Sequence, residues 1–129
     1  MRTSLINRNA VYFVQDGGLV RIVAGKGGGA VGAGGIGGGR TYTNRCTQAT
    51  FEAVAHALNE TPREGAGTSV ARLARQEHLP FTQVNVALEF LKERGLVDVR
   101  RRHCYPATED VYLDAMVEYH ALADGDKMI

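Results

Sequence analysis

Arg100-Arg101-Arg102-His103 sets four cationic or near-cationic side chains in consecutive positions. On a projecting hairpin tip, such a cluster suits a phosphate backbone or the minor groove of a duplex. A second group is Thr82, Gln83 and Asn85, polar hydrogen-bonding side chains at the start of a segment with helical apolar spacing. Near a helix N-terminus they suit base edges in a major groove about 12 Å wide. Phe81, Val86 and Phe90 lie on the same segment and are apolar. That stripe fits either a contact for a protein partner or a packing face under the N-terminal part of the chain.

Other chemistry has less to stand on. Cys46, His103 and Cys104 can ligate metals, as can His56, His78 and His120, but no Cys-x-x-Cys spacing joins them. Cys104 fits a small buried hydrophobe better. Gly27-Gly28-Gly29-Ala30-Val31-Gly32 and Gly32-Ala33-Gly34-Gly35-Ile36-Gly37 satisfy a dinucleotide-binding pattern. That pattern needs a helix to start at its last glycine, and Gly37-Gly38-Gly39 cannot start one. No paired-carboxylate or Ser-His-Asp spacing argues for catalysis. We therefore expect no enzyme activity, no metal and no cofactor.

The elements that must position these residues are legible from periodicity. Ala10 to Ala24 holds two β-branched and aromatic runs around Gln15-Asp16-Gly17-Gly18, which predicts a hairpin with strands near 10–15 and 19–24. Ten of the fifteen residues 25–39 are glycine, the composition of a flexible connector. Phe51, Val54, Ala55 and Leu58 predict an amphipathic helix over 47–59. Thr68 or Ser69 caps a short helix ending near Glu77. After the turn at His78-Leu79-Pro80, Val84, Ala87, Leu88 and Leu91 predict a helix from Phe81 to Arg94, stopped by Gly95. Leu96 to Arg100 alternates as a strand does, Arg101-Arg102-His103 makes the tip, and Cys104-Tyr105-Pro106 returns. Thr108 is the expected cap of a last helix over 109–123.

Helix, helix, turn, helix, hairpin, helix is an informative order. Ser69-Val70-Ala71-Arg72-Leu73-Ala74-Arg75-Gln76-Glu77-His78-Leu79-Pro80-Phe81-Thr82-Gln83-Val84 is similar to a positioning helix, its turn and the start of a recognition helix. Leu88-Glu89-Phe90-Leu91-Lys92-Glu93-Arg94-Gly95-Leu96-Val97 is similar to the junction between that helix and a wing. Residues 47–108 thus resemble a winged helix-turn-helix domain of MarR-like and ArsR-like bacterial transcription regulators. The resemblance implies an α+β fold and a sequence-specific role on double-stranded DNA, as in a repressor or a phage or plasmid control protein. It also implies base reading by Thr82, Gln83 and Asn85, with phosphate contacts from Arg100, Arg101, Arg102 and His103. The alternative is a winged-helix adaptor that binds a protein through Phe81, Val86 and Phe90.

The whole is 129 residues with net charge +1. That length excludes a (β/α)₈ barrel enzyme. The sum hides blocks of +5 over 1–46, −2 over 47–67, +3 over 68–105 and −5 over 106–129. The basic blocks suit a polyanion, and the acidic end suits a side turned away from it. The expected divisions are a basic arm and hairpin over 1–24, a Gly-rich connector over 25–40, the winged helix over 41–108, and a C-terminal helix with an acidic tail over 109–129. Two cysteines make no disulfide framework, and no signal peptide or membrane-spanning run is visible, so a reducing, cytoplasmic setting is expected. Surplus apolar residues on the last helix, Leu113 and Val117 among them, suit a two-fold homodimer paired mainly there, with the N-terminal hairpin contributing.

Overall fold

The computed structural model describes residues 10–24 and 41–127. The expected basic arm before Ala10 and the Gly-rich connector 25–40 lie outside them. Within the described residues the architecture is mixed α and β, with four helices and two antiparallel sheets.

The first sheet has three strands in the order β1-β2-β3, where β1 is Ala10–Gln15, β2 is Gly18–Ala24 and β3 is Thr41–Thr47. The hairpin is the expected one. Its turn residues Asp16 and Gly17 both take positive φ, 52° and 78°, which Asp-Gly tolerates. The third strand was not expected. It pairs with β2 along its whole length, from Gly18 opposite Thr47 to Ala24 opposite Thr41. The hairpin is therefore part of a sheet with an apolar face, which resolves the marginal stability of two strands alone.

Thr47 ends β3 and caps the first helix, α1 (Gln48–Asn59), by accepting the Thr50 N–H on its hydroxyl at 3.1 Å. Ser69 caps α2 (Val70–Glu77) in the same way through the Arg72 N–H at 3.1 Å. His78 closes α2 in the left-handed conformation. Pro80 precedes α3 (Phe81–Glu93) without a side-chain cap. Gly95, at φ 77°, ends α3 as expected. The Gly95 N–H bonds to the Lys92 carbonyl and the Leu96 N–H to that of Leu91, at 3.0 and 2.9 Å, a Schellman closure.

The second sheet is the hairpin of β4 (Val97–Arg100) and β5 (His103–Pro106). Its tip is shorter than expected, because His103 pairs with Arg100 and only Arg101 and Arg102 turn. The last helix, α4, runs Val111–Lys127, later than the expected 109–123. Thr108 is not its cap: Asp110 accepts the Leu113 N–H at 3.0 Å, and Asn59 accepts the Val111 N–H at 2.9 Å. Leu113 and Val117 are each 56% exposed on its outer side. No helix among the described residues is long and apolar enough to cross a membrane.

The core lies where the first sheet, α1, α3 and α4 meet. Val84, Ala87, Leu88 and Leu91 of α3 are fully buried, as their spacing requires. Val86 and Phe90 are fully buried as well, so of the two alternatives for the Phe81-Val86-Phe90 stripe these two residues follow the packing face and not the open partner contact. Phe90 packs edge-on against Tyr12 of β1 at 5.3 Å and Phe51 of α1 at 5.8 Å. The apolar stripe has found its partner inside the chain, and only Phe81 stays open, at 59% exposure.

Both cysteines are buried and free. Burial pushes the Cys46 thiol and the Tyr12 phenol up to about 12. Each neutral form is favoured by folding, so stability should hold near neutral pH. It should fall as pH rises past about 9 towards 12, where the unfolded groups ionise first. Urea melts across that range check the sign, and rising stability would contradict it. Phe90→Ala should cost about 3–5 kcal/mol in the same melts at pH 7, because it empties a site closed from three sides. A loss under about 1 kcal/mol would show that the sheet does not rest on α3.

Candidate nucleic-acid interface

Three sides of α3 have different surroundings. One faces the helices and one faces the first sheet, where Gln83, Val86 and Phe90 follow each other at helical spacing. The third carries Thr82, Asn85, Glu89 and Lys92. Thr82 is exposed, and Asn85, Glu89 and Lys92 are half-buried. Lys92 donates to Glu89 at 2.9 Å, so these two charges largely neutralise each other.

Gln83 does not share that open side fully. Its side-chain oxygen accepts the Thr47 N–H at 3.0 Å, which fastens α3 to the junction of β3 and α1. Sequence alone places Gln83 beside Thr82 and Asn85, but the structure gives it this internal bond.

The hairpin of β4 and β5 is fastened to the loop before α2. Thr68 and Cys104 form a β-bridge, with N–H to carbonyl distances of 2.9 and 2.7 Å. The Tyr105 hydroxyl donates to the Gly65 carbonyl at 2.9 Å. Gly67 has φ 71°, and a Cβ there would come within 2.7 Å of the Tyr105 ring and 3.0 Å of the Cys104 carbonyl. Any side chain at 67 would wedge hairpin and loop apart. Tyr105 and Gly67 are site-building residues that the sequence reading passed over. The signal available was a Gly-Thr pair just before a capping Ser.

Arg101, Arg102 and His103 are exposed at the end of this hairpin. Arg100 is exposed too, but it is turned back onto the loop before α2. It donates to the Arg63 carbonyl at 2.8 Å, and its guanidinium carbon sits 3.8 Å from the centre of the Tyr105 ring. Arg72 and Arg75 on α2 are also exposed and add cations that the sequence reading did not single out. Among the described residues, no three His, Cys, Asp or Glu side chains gather as a metal site would need.

The tip itself is costly. Arg101 and Arg102 take φ of 50° and 70°. Positive φ at both central residues is the demand that Asn-Gly or Asp-Gly meets cheaply, and the first hairpin uses Asp16-Gly17 for it. Two arginines in the left-handed region cost about 1 kcal/mol or more each. The double variant Arg101→Asn, Arg102→Gly should therefore raise stability by about 1–2 kcal/mol in urea melts. A double variant no more stable than the wild type would remove the strain argument.

No family model matches the chain, and no curated protein or solved structure matches it either.

Proposed function

We propose that residues 41–108 form a winged helix-turn-helix that binds double-stranded DNA, in a protein of the transcription-regulator kind. In this reading α3 enters the major groove, and the hairpin of β4 and β5 is a wing on the phosphates. The observation that carries it is the Arg101-Arg102 turn. A chain that makes the same turn with Asp-Gly elsewhere holds two exposed arginines here against their backbone preference. Strain kept at an exposed cationic tip is accounted for by a contact the side chains make, and phosphate is the partner their chemistry fits.

Three further features support the reading. The order α1, α2, α3, β4, β5 is the one a winged helix-turn-helix calls for, and the bridge from Thr68 to Cys104 pairs the loop before α2 with the hairpin at one position. The open side of α3 presents Thr82 and Asn85, which hydrogen-bond to bases without adding charge. The adaptor alternative loses two of its three residues to the core, since Val86 and Phe90 are fully buried.

Binding to mixed genomic duplex fragments, titrated with salt, tests the proposal. Affinity should fall steeply with salt, and Asn85→Ala should relax sequence preference by about 1–3 kcal/mol at one position. Absence of salt-dependent binding would overturn the reading. Full sequence preference in Asn85→Ala would remove α3 as the reader.

A further inference from the structure

Arg100, Arg101 and Arg102 are chemically identical neighbours, but the fold gives them different work. All three are exposed, but Arg101 and Arg102 make no ion pair or side-chain hydrogen bond among the described residues. Arg100 has its guanidinium on the Tyr105 ring, at 3.8 Å, and one of its N–H groups on the Arg63 carbonyl, at 2.8 Å. Tyr105 is only 8% exposed, and its hydroxyl holds the Gly65 carbonyl. The two side chains thus grip carbonyls two residues apart on one loop. Arg100 also lines a recess with Arg63, Glu64 and Asp98, where two carboxylates already supply negative charge.

We propose that Arg100 is a positioning residue: it locks the hairpin of β4 and β5 to the 63–67 loop, so that Arg101 and Arg102 are the arginines that meet phosphate. The inference rests on the DNA-binding reading above. Its physical basis is the size of the hairpin. Strands of four residues with a strained turn are marginal on their own, and their tip would sweep a wide cone. Fastening the tip before DNA arrives removes ordering cost from the binding step. Lysine cannot do this, because it has no planar face to stack on Tyr105 and no fork to reach the carbonyl from there.

Two measurements on the full chain decide it. The first needs no nucleic acid. Tryptic cleavage after Arg63, followed by mass spectrometry, reports how firmly the loop is held. Arg100→Lys and Arg100→Ala should both speed that cut about tenfold, the equivalent of one lost charge-assisted hydrogen bond. Arg101→Ala and Arg102→Ala should leave it unchanged. The second is salt-titrated binding to a duplex. Arg101→Ala and Arg102→Ala should each lower the salt slope by about 1. Arg100→Lys and Arg100→Ala should keep the wild-type slope and weaken binding about tenfold at every salt. A phosphate anchor would behave otherwise: Arg100→Lys would retain binding, and Arg100→Ala would lose slope as Arg101→Ala does. That pattern, or an unchanged cut after Arg63 in both Arg100 variants, overturns the inference and leaves the DNA reading standing. A wild type that binds no duplex overturns the DNA reading itself, and the assignment of phosphate contacts falls with it.

Discussion

The ring of Phe90 is where the described parts of this chain are joined. Tyr12 of β1 meets it at 5.3 Å and Phe51 of α1 at 5.8 Å, while the Arg94 guanidinium covers it at 4.8 Å. Phe51 passes the contact on to Tyr119 of α4 at 5.0 Å, and the Tyr119 hydroxyl reaches back to the Gly17 carbonyl in the first turn. One aromatic chain thus ties the three-stranded sheet, α1, α3 and α4 together. The two edge-to-face pairs on Phe90, with Tyr12 and Phe51, add to the burial of their area. The consequence for function is geometric. With the sheet on one side of α3 and the helices on another, the side with Thr82, Asn85, Glu89 and Lys92 is the one left open.

The hairpin of β4 and β5 depends on a different kind of constraint. Its strands are too short to hold themselves, so the Thr68 bridge, Tyr105 and Arg100 fasten it to the loop before α2. Gly67 is the enabling residue, because only a missing Cβ lets the Tyr105 ring lie so close. At the tip the local rules are broken instead of obeyed. Agreement between local preference and fold is the norm, and a departure points to a function that the departure serves. Two arginines with left-handed backbones are such a departure.

Much of this was legible in the sequence, for reasons that can be named. The apolar spacing of α1 and α3, the Gly95 stop and the Asp16-Gly17 turn are local signals, and the structure follows them. The strand β3 was not legible. Thr41-Tyr42-Thr43-Asn44-Arg45-Cys46-Thr47 has only Cys46 fully buried, so it lacks the apolar alternation that marks a strand. Its pairing with β2 supplies the order instead. Gln83 looked like Thr82 and Asn85 because composition cannot see Thr47, 36 residues earlier, whose N–H it satisfies. The three arginines looked equivalent because the Arg63 carbonyl, 37 residues before Arg100, leaves no mark near them. Phe90 was readable as a buried contact or a docking contact, and the sheet decided between them.

The proposed surface for duplex DNA joins the open side of α3 to the Arg101-Arg102 tip. Amide chemical-shift mapping on the ¹⁵N-labelled protein, titrated with a duplex, addresses it residue by residue. The largest changes are expected at Thr82, Asn85 and Arg101 to His103, with the outer side of α4 around Leu113 and Val117 silent. Shifts confined to α4 or to the outer face of the first sheet, with α3 and the tip unmoved, would contradict it.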